Sequence, residues 1–180
     1  MEKFIVPSRG EVSANNQIIF DRFQKALGFV PNLYATMAYS DTGLENYVSF
    51  QNAKTSLSKR EKEIVNILAS QQNGCRYCQS AHTVIGKMNG FADDEILEIR
   101  NGSASFDDKL NVLAHLTYEI LTLKGNVTQK TLDRFFDAGY THGNVVDVVL
   151  AVAEITVTNY LHNITQIPID FPLAPELAIS

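Results

Sequence analysis

The amino-acid sequence predicts an all-α protein, built as a multi-helix bundle. Apolar residues recur at three- and four-residue spacing along most of the 180 residues, and no stretch alternates as a strand would. Gly, Asn and Pro fall between these stretches at intervals that suit helices of ordinary length.

The elements follow in order. Ile18, Ile19, Phe23, Ala26 and Leu27 mark a first helix that breaks at Gly28 and Pro31. Two more helices are expected at about Leu33–Ala38 and Gly43–Thr55, parted by Ser40 and Asp41. Ser58 followed by Glu61 has the capping-box spacing, in which hydroxyl and carboxylate each satisfy a free backbone amide. A helix should therefore run from Lys59 to about Gln71, with Ile64, Ile67 and Leu68 inward. Asn73 and Gly74 tolerate the left-handed backbone that ends helices, and a second helix is expected from about Cys75 to Met88.

Asp93, Asp94 and Glu95 suit the first turn of a short helix ending near Asn101 and Gly102, because carboxylates favour the positive end of the helix dipole. Longer helices are expected at about Asp107–Leu123, Thr128–Asp137 and Gly143–Asn163. The tail from Ile167 should be extended, since Pro168, Pro172 and Pro175 exclude a helix. The expected organisation is one domain: a helical extension over 1–56, a motif-bearing unit over 57–103, C-terminal helices over 104–165 and a tail over 166–180.

Composition narrows the function classes. A net charge of −5 without a strongly basic run disfavours nucleic acid as a partner. The most apolar stretch, Val145–Tyr160, is interrupted by Asp147, Glu154 and Asn159 and reads as a buried or interface helix, so no membrane partner is expected. The N-terminus lacks the apolar core of a secretory signal, which leads to the expectation of a cytoplasmic protein. Both cysteines lie in one short motif, unlike a framework of disulfides linking distant segments.

That motif is Cys75-Arg76-Tyr77-Cys78, followed four residues later by His82. At roughly 100° per residue, the two thiols and the imidazole fall within an arc of about 60° if the helix begins at or just before Cys75. A helix N-terminus favours thiolate over thiol, and an imidazole one turn on can take the proton of Cys78. If the chain folds back at Asn73 and Gly74, Glu63 on the preceding helix comes level with His82 to within one turn and can orient it. Glu61 is already employed in the capping box. Tyr77 either donates a hydrogen bond or covers the site. His115, His142 and His162 lack a comparable setting.

Three chemistries are open for such a motif: redox cycling of the thiols, metal binding, or inert burial. Cys75, Cys78 and His82 would supply three ligands to zinc, with water or Glu63 as the fourth. Against zinc, no second Cys/His cluster exists in the sequence, and the expected site holds no metal and no cofactor.

Glu63, Cys75, Cys78 and His82 together resemble, position for position, the alkylhydroperoxidase D-like branch of the carboxymuconolactone decarboxylase superfamily. The segment Leu27–Leu33, with its Gly-x-x-Pro-Asn, and the tail Ile167–Asp170 are similar to the longer "peroxidase-related" members. The resemblance implies an all-α fold assembled as a homo-oligomer (dimer, trimer or hexamer). It further implies peroxide reduction through a Cys75/Cys78 dithiol–disulfide cycle assisted by His82 and Glu63. The partners so implied are a peroxide and a dithiol or thioredoxin-like reductant. Tyr77 stands where better-studied peroxidases have a histidine between the cysteines, so the proton relay is wired differently. The competing expectations are a protein or small-molecule disulfide oxidoreductase and a zinc-binding or structural oligomeric module. Lactone decarboxylation fits least, because it leaves both thiols unexplained.

Overall fold

Capping side chains set most of the helix starts in the computed structural model, which describes residues 3–177. Nine α-helices and one short 3-10 turn, with no strand, are found among the described residues. They divide into two units, one of residues 1–54 with 161–170 and one of residues 55–160 with 171–180.

In the first unit, the 3-10 turn Arg9–Glu11 precedes α1 (Ala14–Leu27), α2 (Asn32–Met37) and α3 (Gly43–Gln51). Ser13 caps α1 by accepting from the Asn16 amide, and left-handed Gly28 ends it. Ile19, Phe20, Met37, Leu44 and Tyr47 form the core of this unit. Helix α3 is shorter than the periodicity predicts. The Asn52 side-chain amide donates to the Val48 carbonyl at 2.8 Å, which closes the last turn before Thr55 is reached. The extended segment after Gln166 is tied here too: Asp170 accepts from the Asn32 amide at 2.7 Å, and Asn32 donates to the Pro168 carbonyl at 3.1 Å.

The second unit holds α4 (Lys59–Gln72), α5 (Arg76–Met88), α6 (Asp93–Arg100), α7 (Asp108–Thr122), α8 (Gln129–Asp137) and most of α9 (His142–Thr165). Helix α4 is its axis, packed against α5, α6 and α7. The Ser58 hydroxyl accepts from the Glu61 amide at 3.2 Å while the Glu61 carboxylate accepts from the Ser58 amide at 2.8 Å. From that fixed start, Ile64, Val65, Ile67 and Leu68 point into a core completed by Ile96, Ile99, Leu113, Leu116, Phe135 and Val148.

Helix α9 is long and apolar enough by composition to cross a membrane. Its polar interruptions nonetheless have protein partners. Asp147 accepts from the Ser56 amide at 2.7 Å, Glu154 pairs with Lys62, and Asn159 accepts from Asn73 at 2.8 Å. Val148 and Ala151 face the core, whereas Val146, Val149, Leu150, Val157 and Tyr160 are exposed. The chain beyond Thr165 carries no helix up to Leu177, and the expected extension of residues 178–180 lies outside the described residues.

The turn between α4 and α5 fixes which faces of the two helices meet. Asn73 keeps right-handed backbone angles and Gly74 alone turns left-handed, with φ of 66°. A Cβ at Gly74 would meet no other atom within 4 Å, so the penalty for a side chain there is purely conformational. Gly74→Ala is expected to lower stability by about 1 kcal/mol in urea unfolding. An unchanged midpoint would contradict the assigned backbone.

Candidate active site

Cys75 is not the first residue of α5 but its N-cap. Its backbone is extended (φ −84°, ψ 98°), and its sulfur accepts from the Cys78 amide at 3.1 Å. The helix proper starts at Arg76, so the common face expected for the two cysteines arises from this capping turn. The turn brings their Cα atoms to 5.3 Å and joins them as a Cys75–Cys78 disulfide. An N-cap sulfur that already accepts an amide hydrogen is a sulfur whose negative charge is stabilised once the bond is reduced.

His82 lies on the next turn of α5, four residues after Cys78, where side chains of one helix face are neighbours. Its Nδ1 is 2.7 Å from Glu63 Oε1. Glu63 reaches it from α4, so the α4–α5 hairpin brings these two residues together. Glu63 is 3% exposed, and the His82 side chain is 12% exposed. With Nδ1 engaged by the carboxylate, Nε2 is the nitrogen left to exchange a proton.

A carboxylate this deep is tolerated because it is paired and hydrogen-bonded. Asn66, one turn along α4, donates from Nδ2 to Glu63 Oε2 at 3.4 Å. Burial pulls the His82 proton affinity down. The charge and hydrogen bond of Glu63 outweigh it, Glu154 adds to them and Lys62 opposes, so the imidazole holds its proton above the ordinary histidine range. It is therefore a proton-bearing group set beside the cysteine pair.

The cysteines themselves are buried, Cys75 at 0% and Cys78 at 2% exposure. Tyr77 between them is buried as well and meets the Phe171 ring edge-on at 5.6 Å. The tail therefore packs over the start of α5. Arg76 donates to the Ala174 carbonyl at 3.0 Å, Arg100 to the Pro175 carbonyl at 2.7 Å, and the Ala174 amide donates to Ser80 Oγ at 3.1 Å.

The other histidines stand apart. His162 hydrogen-bonds the Ile167 carbonyl at 3.2 Å, and the His142 ring lies against Phe136. Among the described residues no group of three or more His, Cys, Asp or Glu side chains is arranged to hold a metal ion.

Sequence reasoning did not single out Lys62, Asn66, Arg100 or Glu154 as parts of this neighbourhood. Only Glu154 gave a signal, as a charge inside the most apolar stretch of the chain.

A helical protein with a disulfide-capable cysteine pair at a helix start, and a carboxylate–imidazole pair one turn away, has the makings of a thiol redox site. Residues 42–117, which include all four of these side chains, match the carboxymuconolactone decarboxylase family. The fold is shared with an uncharacterized peroxidase-related protein from Ralstonia eutropha JMP134, described as an alkylhydroperoxidase AhpD core. There the TM-score is 0.81 and the identity 18%, over 90% of this chain and 88% of that one. It is also shared with an uncharacterized peroxidase-related protein from Silicibacter sp. TM1040, with a TM-score of 0.80 and 18% identity over 94% and 90% of the two chains. A third similar structure is a cysteine-to-alanine variant of the debrominase Bmp8 in complex with 2,3,4-tribromopyrrole. Its TM-score is 0.75 and its identity 15%, over 94% of this chain and 93% of that one. No curated protein matches the chain by sequence. The family match spans residues 42–117 of the chain, and the all-α fold is the one these three structures share.

Folding raises the pKa of His82 above its usual value of 6.5, so the stability it contributes is complete below that value and is lost as pH rises through the folded pKa. Replacing Glu63 by Gln removes the cause of the rise. In urea unfolding, the stability advantage of the native chain over Glu63→Gln is expected to be greatest near about pH 6 and to shrink toward about pH 9. An advantage that grows with pH would contradict the pairing.

Proposed function

We propose that this chain is a thiol-dependent peroxidase of the alkylhydroperoxidase type, reducing a small hydroperoxide through Cys75 and Cys78. The observation that carries the reading is the conjunction at the start of α5. A cysteine pair close enough to form a disulfide stands one turn from an imidazole held by a buried carboxylate. The shared fold does not select the substrate by itself, since a debrominase has it too.

In the proposed cycle, the Cys78 thiol ionises beside the protonated His82, its proton passing to solvent, and the thiolate attacks the terminal oxygen of R–O–OH. The O–O bond breaks, Cys78 becomes a sulfenic acid, and the departing RO⁻ takes the proton from His82 to leave as the alcohol. Cys75 then attacks the Cys78 sulfur, its proton and the hydroxyl leave as water, and the disulfide forms. An external dithiol returns two electrons and two protons by thiol–disulfide exchange. Two thiols have then been oxidised and one peroxide reduced to alcohol and water. Cys78 is assigned the first attack because it shares its helix face with His82, while Cys75 carries the cap.

The near-complete burial of both sulfurs favours a small substrate and disfavours the alternative of a general oxidoreductase for folded protein disulfides. The expected homo-oligomer belongs to the same proposal. The exposed apolar face of α9 (Val146, Val149, Leu150, Val157, Tyr160) is a surface that a second copy would cover, at the favourable return expected for apolar area removed from water.

The variants separate the roles. Cys78→Ser is expected to abolish peroxide consumption in a single turnover. Cys75→Ser should still consume about one equivalent and leave a sulfenate on Cys78 that a dimedone-type reagent traps. Peroxide consumption by the double serine variant at the native rate would refute the proposal.

A further inference from the structure

Cys75 and Cys78 are almost wholly buried, yet their disulfide must meet a reductant from outside. In thiol–disulfide exchange the incoming thiolate reaches one sulfur, forms a mixed disulfide with it and expels the other sulfur as a thiolate. A path for that approach has to open. The helices of the hairpin are poorly suited to moving, because the Glu63–His82 contact and the apolar core hold α4 and α5 in place.

Residues 171–177 are the neighbouring segment without helix or strand. They are held at successive points along the start of α5. Phe171 meets Tyr77, the residue just before Cys78, edge-on at 5.6 Å. The Ala174 carbonyl accepts from Arg76 at 3.0 Å, and the Ala174 amide donates to Ser80 Oγ at 3.1 Å. The Pro175 carbonyl accepts from Arg100 on α6 at 2.7 Å. Arg76 and Tyr77 lie between the two cysteines, and Ser80 follows Cys78 by two residues.

We propose that residues 171–177 form a strap that lifts from the start of α5 to admit the reductant and closes again over the Cys75–Cys78 pair. The groups beneath it are provided for when it lifts. Arg100 keeps Gln71 Oε1 at 2.9 Å and Gln79 Oε1 at 3.4 Å as acceptors, and the Ser80 hydroxyl keeps the Arg76 carbonyl at 2.8 Å. On the strap itself Ala174 is buried, while Pro172, Leu173, Pro175 and Glu176 are exposed. Lifting therefore uncovers little apolar surface, and water takes over as partner to one amide and two carbonyls. An opening of this size costs far less than unfolding the domain. Pro172 and Pro175 fix their own φ angles, so the strap gives up little chain entropy when it closes. Its part in catalysis rests on the proposed cycle, in which the disulfide is reduced once per turnover. The movement itself does not.

The test is the rate at which a water-soluble phosphine reduces the disulfide of the oxidised protein. The phosphine attacks one sulfur, releases the other as a thiol and becomes its oxide by taking oxygen from water. No peroxide enters, so the outcome is independent of whether the cysteines prove to reduce one. Phe171→Ala and Ser80→Ala are each expected to raise the rate constant about fivefold or more while shifting the disulfide's equilibrium with dithiothreitol by less than about twofold, because a gate alters passage in both directions alike. Rates unchanged in both variants, or raised in step with a shifted equilibrium, would overturn the proposal. Should neither variant fold, the native chain still decides. Urea up to about 1 M is expected to leave its rate within about twofold, since lifting a short strap exposes little surface. A rate that climbs with urea as steeply as global unfolding would mean that the cysteines are reached only through the unfolded chain, and the strap would be refuted.

Discussion

The contact between Glu63 and His82 is the constraint on which the rest of the second unit turns. A carboxylate and an imidazole are held 2.7 Å apart inside a helical bundle, where either alone would be expelled or neutralised. Holding them there requires α4 and α5 to meet at a fixed register, which the capping box at Ser58 and the left-handed Gly74 provide at the two ends of α4. It also requires α4 to be fastened on its other sides, and the apolar contacts with α6 and α7 do this. The cysteine pair inherits its place from the same turn, since Cys75 is both the cap of α5 and one half of the disulfide.

A second set of polar contacts surrounds the base of the hairpin and has a different task. Asn73 donates to Asn159 at 2.8 Å, Arg100 donates to Gln71 at 2.9 Å, and Arg76 and Arg100 reach two successive carbonyls of the tail. None of these groups carries out chemistry in the proposed cycle. They tie the tail to the hairpin, in a region where both cysteines have almost no exposure and Tyr77 meets Phe171 edge-on. Exclusion of water strengthens charge interactions at the site, and in the proposed cycle the limited access would protect the sulfenic acid from over-oxidation.

Much of the fold was legible because its signals are local. The breaks at Gly28, Gly74 and Gly102 all have positive φ, and each follows a helix that local signals in the sequence predict. The contact of Glu63 with His82 was legible for a related reason: a tight hairpin converts distance along the chain into level in space. The capping role of Cys75 was less so, since serine and aspartate are the usual signs of a helix start. Lys62 and Glu154 were not legible as partners at all. They lie far apart in sequence, and only the folded chain brings them to 3.1 Å. Likewise, three prolines foretold an extended tail, but nothing local said that Arg76, Ser80 and Arg100 would hold it.

The central claim is that Cys75 and Cys78 are a dithiol that a peroxide oxidises. It is tested most directly by mass spectrometry of the fully reduced chain before and after one equivalent of an organic hydroperoxide, with the cysteine-containing peptide mapped. The account predicts loss of two hydrogens from the peptide spanning Cys75 and Cys78, as a disulfide formed within the time of mixing. Two free thiols after that exposure, with the peroxide intact, would contradict it.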